Sequence, residues 1–313
     1  MAQIWTMGEL LCEVMRPSVD MPLDKADVFV GPFPSGAPAI FIDTVARLGH
    51  KCGIIGGVGN DDFGKCLTDR FLKDGVNTSH VAVYKNGTTG VAFVTYFGDG
   101  SRRFLYHFPD TPATRSKAPD ISELGNDIRY FHIMGCSLMA KKEFGLEIIK
   151  LMNALADNGT EISFDPNIRP ELMKDSSVYE MTNDVMQECN VFLPGVTELL
   201  TITGKSNIPD AIDVCFNYPK LKIVVLKKGE LGCAVYTKEN SFDLGVYKVD
   251  TVDPTGAGDC FDGAFLCGLL EGKDLLEAAK MASAAAALNA AVLGPMEGNI
   301  SRQTIEEMIN NSQ

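Results

Sequence analysis

The sequence predicts an α/β fold: a mostly parallel central sheet with helices on both faces, and a small β lid beside it. Two observations predict the body. Short β-rich runs alternate with longer helical patterns, and polar or glycine residues stand at the ends of several of those runs. A third observation predicts the lid: two alternating runs around a glycine-rich turn interrupt the βα rhythm.

The buried strands are expected at residues 3–8, 52–59, 129–135, 161–166, 190–195 and 222–229. Each is a short apolar run, as a strand covered on both faces should be. Between them lie the helical stretches "AIFIDTVARLG", "FGLEIIKLMNALADNG" and "LLEAAKMASAAAALNAAVLG". Strands that alternate with helices imply a parallel sheet. Ligands of such sheets gather at the carboxyl ends of the strands. Asp165, Gly195, Glu198, Lys227 and Gly229 fall there. Each could simply end a strand; several on one edge make a site.

The runs within 90–108 flank Gly98-Asp99-Gly100-Ser101 and read as an antiparallel hairpin. With residues 12–34 they give a lid formed from about 12–34 and 88–110, within a single domain spanning 1–313. An ordinary extension of the sheet is the competing reading.

The chain of 313 residues is 45% hydrophobic and 22% charged, enough to bury a full core. Its net charge of -13 argues against nucleic acid or an anionic membrane surface as partner. No apolar run reaches membrane-spanning length. Nine cysteines without a C-x-x-C pair, and no export signal, predict reduced thiols in a cytoplasmic protein. The four histidines are too dispersed for a zinc site.

The chemistry concentrates in "VDPTGAGDCFDGAF", residues 252–265. Gly256, Ala257 and Gly258 form a bare turn that feeds a helix, with Phe261, Phe265 and Leu269 on one face. Free N–H groups at such a helix start bind an anion without any Lys or Arg. Asp259 could merely cap that helix. A cap does not need three small residues before it, whereas phosphoryl transfer needs an anion hole beside a proton acceptor. An ordinary Asp, with a pKa of about 3.9, would be ionised and weakly basic at neutral pH.

Two look-alikes fail. "GNDDFGKC" ends in Cys66 where a P-loop needs Ser or Thr, and its Asp61 and Asp62 would repel phosphate. "TGKS" has Leu199 where the upstream glycine belongs.

"DPTGAGDCF" resembles the signature of the ribokinase (PfkB) family of carbohydrate kinases. "PSGAPAIFIDTVARLG", "GGVGNDDFG", "FDPNIRPEL" and "VVLKKGELG" resemble further family segments in the same order, the third as in fructokinases and 2-keto-3-deoxygluconate kinases. The resemblance spans nearly the whole chain and implies a ribokinase-like fold, ATP, Mg2+, in many members a monovalent cation such as K+, and a sugar hydroxyl as acceptor. It implies Asp259 as catalytic base and Gly256, Ala257 and Gly258 as the anion hole. Lys227, Gly229 and Gly232 would lie along ATP, and Ser283 near adenine, unless the small residues of that helix serve close packing. Glu198 would reach Mg2+ through water and Asp253 a monovalent cation. Glu13, Gly36, Ala37, His107 and Arg169 would contact the sugar.

The chain departs from the pattern at Gly195, where the family's N-x-x-E carries Asn, at Ser35, where a glycine pair is usual, and at Glu13, where Asp is frequent. His107 is aligned where kinases of keto-deoxy sugar acids carry Arg, with Arg102 or Arg103 as substitutes in a shifted register. A neutral His is a poor carboxylate clamp. The expected substrate is therefore a ketohexose such as fructose or tagatose, with 2-keto-3-deoxygluconate as the alternative. A nucleoside kinase, and a non-catalytic sugar or nucleotide sensor on the same fold, are the other readings, since fold alone does not fix activity. A homodimer through the lid is expected by analogy with some relatives.

Overall fold

Ile4 and Trp5 are neighbours in the chain yet pack into opposite cores, as do Ile54 and Ile55, and Val191 and Phe192. That two-residue alternation defines strands with apolar residues on both faces. The computed structural model describes residues 2–173 and 175–311. In chain order it forms β1 (Ile4–Met7), β2 (Leu11–Met15), β3 (Val30–Ser35), α1 (Ala37–Arg47), β4 (Cys52–Gly59), α2 (Asp62–Asp74) and β5 (Asn77–Tyr84). There follow β6 (Gly90–Tyr96), β7 (Arg102–His107), β8 (Tyr130–Met134), α3 (Gly135–Ala140), α4 (Lys142–Asp157), β9 (Glu161–Asp165), α5 (Ser177–Glu188) and β10 (Cys189–Phe192). The chain ends with α6 (Val196–Thr203), α7 (Ile208–Cys215), β11 (Ile223–Lys227), β12 (Cys233–Tyr236), β13 (Ser241–Leu244), α8 (Ala257–Leu270), α9 (Leu275–Ala290) and α10 (Arg302–Asn311).

The main sheet has nine strands in the order β13-β12-β11-β10-β9-β8-β1-β4-β5. From β5 to β11 every pairing is parallel; β12 and β13 add an antiparallel edge. One face packs on α1, α8 and α9, the other on α4 and α5. The small residues of α8 and α9 let the two helices meet closely: a Cβ on Gly268 would lie 2.8 Å from the Cβ of Ala278. Among the described residues no helix is long and apolar enough to cross a membrane.

The lid is a separate four-stranded sheet, β3-β2-β6-β7. The β6–β7 hairpin turns at 97–101, where Phe97 and Ser101 pair through the backbone. The near-P-loop segment is a capped helix start. Asp61 accepts the Gly64 N–H at 2.8 Å and also bonds Thr89, so the α2 amino terminus faces the protein's own carboxylate.

Candidate active site

The parallel strands β9 and β11 end at Asp165 and Lys227, and β10 runs out just before Gly195. Beneath the lid, these ends line one cavity of about 180 Å³. The helix starts at Gly36 and Gly256 enter it from the body, and Arg102, Phe104, Tyr106 and Phe108 from the lid. Gly36 has φ 104, and a Cβ there would sit 2.6 Å from the Glu9 carbonyl oxygen, so no larger residue could start α1 this close to the cavity.

The 252–265 stretch builds the cavity floor. Gly256 caps α8 in the left-handed region with φ 81, and a Cβ there would lie 2.5 Å from the Pro295 carbonyl oxygen. Cys260 makes a helical bond back to Gly256. Ala257 spends its N–H on the Pro254 carbonyl at 3.3 Å and does not line the cavity. This corrects the sequence-based anion hole. Gly256, Gly258 and Asp259 keep N–H groups without an acceptor among the described residues, and Ala257 shapes the turn without donating to a ligand.

Asp259 is buried, lines the cavity and accepts from Asn167 Nδ2 at 3.1 Å. Burial pushes its carboxyl up to about 7; the Asp165 charge adds to this, against the pull of Arg169, Lys227 and Arg102. Asp259 is thus a stronger base than the ordinary Asp the sequence suggested, close to the value a general base needs near neutral pH. Asn167, which the motif reading passed over, holds it. With φ 41, Asn167 donates to Asp259 and, at 3.2 Å, to Asp165. The available signal was Asn directly after Pro at a strand end, since Asn tolerates positive φ.

Lys227 is locked rather than free. Its Nζ donates to Asp165 at 2.9 Å and to both oxygens of Asp262, at 3.0 and 3.1 Å. Burial alone would discharge it, but the two carboxyls hold it protonated. Burial drives Asp262 strongly upward and likewise opposes ionisation of Asp165, yet Lys227 and hydrogen bonds pull Asp165 down to about 2. The ammonium lies 3.8 Å from where a Cβ on Gly258 would be, so a fixed positive charge borders the anion turn. Asp262, one helical turn beyond the base, was not singled out in the sequence.

The sugar-side residues divide. Glu13 lines the cavity; Ser35 bonds its Oε1 at 2.7 Å, Oε2 is buried without a partner, and burial raises the carboxyl to about 7. Glu9, missed in the sequence, is a second buried cavity carboxylate, held by Ser137 and by Cys136 at 3.2 Å. Gly36, Ala37 and Arg169 also line the cavity. His107 does not. Strand alternation turns Arg102, Phe104 and Tyr106 inward, whereas His107 is exposed and its ring meets Phe93 edge-on. The sequence-based sugar contact at His107 is corrected accordingly: the inward cation of β7 is Arg102. Arg102 and Arg169 make no ion pair with a carboxylate among the described residues.

Of the residues expected along the nucleotide, Lys227 lines the cavity, but Gly229, Gly232 and Ser283 do not. Gly232 has a packing role, because its Cβ would fall 2.0 Å from the Leu244 carbonyl oxygen. Ser283 is buried in α9, beside Cys233.

The metal expectations differ in fit. Each Glu198 oxygen accepts one backbone N–H, from Ile168 and Gly195, both at 2.7 Å, and the residue still lines the cavity. No group of three or more metal-ligating side chains occurs among the described residues. With both oxygens already accepting backbone N–H groups, Glu198 would reach a bound Mg2+ through water. Asp253 fits a monovalent cation poorly. Its Oδ1 accepts from the Tyr96 hydroxyl at 2.8 Å and the Thr255 N–H at 2.9 Å, and its Oδ2 from the Gly294 N–H at 3.0 Å. Asp253 instead ties lid strand β6 to the anion turn.

Residues 30–302 match the model of the pfkB family carbohydrate kinases. Fructokinase-2 of Solanum lycopersicum is 31% identical over 276 residues, 88% of this chain and 84% of that protein. Fructokinase-1 of Oryza sativa subsp. japonica is 30% identical over 298 residues, 92% of each. A ribokinase II candidate from E. coli, solved with ATP and Mg2+, superimposes with a TM-score of 0.91 at 36% identity, over 99% of this chain and 100% of that one.

Proposed function

This chain belongs to the pfkB family of carbohydrate kinases, and from that premise we propose that it transfers the γ-phosphoryl group of ATP to a hydroxyl of a ketohexose. The carrying observation is the joined anion turn and base: Gly256, Gly258 and Asp259 N–H groups open to the same cavity as a carboxyl raised to about 7. Asp259 accepts the proton of the attacking hydroxyl. The turn's N–H groups and the fixed Lys227 charge receive the negative charge of the migrating group. Glu13 Oε2 accepts from a sugar hydroxyl, which relieves its unpaired burial. The lid's Phe104 and Phe108 exclude water above the sugar. Bound Mg2+ would neutralise phosphate charge, with Glu198 as its water-mediated protein contact.

The relatives named fructokinase support the ketohexose. One observation favours a second reading, a keto-deoxy sugar acid: two guanidinium groups line the cavity without a carboxylate partner, and Arg pairs well with a substrate carboxylate. A phosphorylation screen over ketohexoses, keto-deoxy acids and nucleosides decides. If the acid is the substrate, Arg102→Gln should cost about 1.5–3 kcal/mol, roughly a ten- to hundredfold loss of kcat/KM on the acid, with little change on any neutral sugar. Equal losses on both would assign Arg102 to lid docking through Thr255. Sugar binding without ATP consumption over the whole panel would favour a sensor.

We extend the reading to a homodimer through the outer lid face, where Val28 is 62% and Leu105 48% exposed. Light scattering at micromolar concentration should give twice the chain mass; a monomer removes the dimer.

A further inference from the structure

The site absorbs the carboxylates, the arginines and Lys227, but not the thiols. All nine cysteines are free. Cys52 lies near Cys267, and Cys189 near Cys215, but all four are buried where no oxidant reaches. Cys12 and Cys66 differ. Cys12, on lid strand β2, is fully buried and its Sγ reaches the Phe63 carbonyl of α2 at 3.5 Å. Cys66, one turn further along α2, is only half-buried, and its Sγ reaches the Pro32 carbonyl of lid strand β3 at 3.8 Å. Each thiol thus contacts the other's neighbourhood, Cys12 reaching the backbone of the helix that carries Cys66 and Cys66 reaching the strand that pairs with β2. Asp61, a neighbouring carboxylate, is spent on Gly64 and Thr89. With no group of three or more metal ligands among the described residues, the pair is not the remnant of a metal site.

We propose that Cys66 and Cys12 form a reversible dithiol–disulfide site whose co-reactant is a small-molecule disulfide. Cys66 is the entering nucleophile: it is only half-buried and reachable from solvent, whereas Cys12 is fully buried, and the neighbouring Cys12 thiol draws Cys66 below the ordinary thiol value. Its sulfur attacks one sulfur of the small disulfide. That S–S bond breaks and releases one thiolate, which takes up a proton. Cys12 then loses its proton and attacks the Cys66 sulfur, forming the Cys12–Cys66 bond and expelling the second small thiol. Two protein thiols are oxidised by two electrons, and one external disulfide becomes two thiols. The bond joins the lid to the body, because β2 belongs to the lid sheet and α2 packs beneath the main sheet. Glu13, the next residue after Cys12, faces the cavity. On the kinase reading, the oxidised form therefore holds Glu13 and the lid in one position and turns over more slowly.

The full-length protein is reduced, treated with excess oxidised glutathione, denatured, alkylated, digested and examined by mass spectrometry. The expected product is a peptide pair joined through Cys12 and Cys66. Cys66→Ser should abolish it, and Cys12→Ala should leave a glutathione adduct on Cys66. Turnover should fall several-fold on oxidation, return with dithiothreitol and stay constant in Cys66→Ser. Wild-type protein with glutathione on Cys66 and Cys12 alkylated, or with both thiols alkylated, overturns the site. A crosslink that leaves turnover unchanged overturns its coupling to the lid. The mass readout needs no substrate, so it stands apart from failure of the kinase reading.

Discussion

Asp259→Asn is expected to yield a folded protein that still binds nucleotide and sugar but turns over roughly a hundredfold to ten-thousandfold more slowly, the range a positioned general base supplies. The substitution keeps size and shape. An amide oxygen can still accept from Asn167 Nδ2, so the β9 loop should hold its place. What disappears is the proton acceptor. The wild-type pH profile provides an internal check. A carboxyl raised to about 7 is mostly protonated, and useless as a base, below that value; it ionises as pH rises through it. kcat/KM should therefore climb with pH to a shoulder near 7 and then level off. An ordinary Asp would be flat there, with its limb about three units lower. The shoulder should vanish in Asp259→Asn. Near-normal turnover by the variant across the sugar panel would remove Asp259 from the reaction.

The body of the fold was legible because its signal is local. Alternating burial writes buried strands into runs such as 52–59, which form β4 without a residue's error. The antiparallel edge β12–β13 left weaker traces, since β13 is half exposed and lacks an apolar run. Within the site, residues with a backbone requirement could be found from sequence: Gly36 and Gly256 have positive φ and no room for a Cβ. Residues whose role depends on a distant partner could not. Nothing near Asp262 indicates that Lys227, 35 positions away, will reach it, and Asn167 meets Asp259 across 92 positions. His107 failed for a different reason. In a strand, a one-residue shift in register exchanges the inward and outward faces, so an approximate alignment of β7 could not separate His107 from its inward neighbours.

The long-range cluster also carries the largest expected stability effect. Lys227→Met should destabilise the protein by about 3–5 kcal/mol, the cost of removing one partner from a buried charge cluster. The Lys227 side chain is only 17% exposed, and Asp262 and Asp165 beside it are 0% and 3% exposed. In the wild type, Asp165 is held at about 2, below its ordinary 3.8. Its stabilising contribution is complete above the ordinary value and is lost as pH falls through about 2. Without the ammonium, only hydrogen bonds such as those from Asn167 still oppose burial, and the Asp165 carboxyl rises in the folded state. A raised carboxyl favours folding when protonated, so the variant should lose most near neutral pH and recover part of the deficit in acid. Urea unfolding of both proteins from neutral pH down to about pH 4 would trace a gap that narrows with acid. Adding Asp165→Asn to Lys227→Met should restore part of the stability at neutral pH, because it removes the charge the lysine balanced; a packing defect would not respond. A cost below about 1 kcal/mol, as for an exposed ion pair, or a gap independent of pH, would mean that Lys227 is solvated. The fixed charge beside Gly258 could then no longer be counted among the groups that receive the phosphoryl charge.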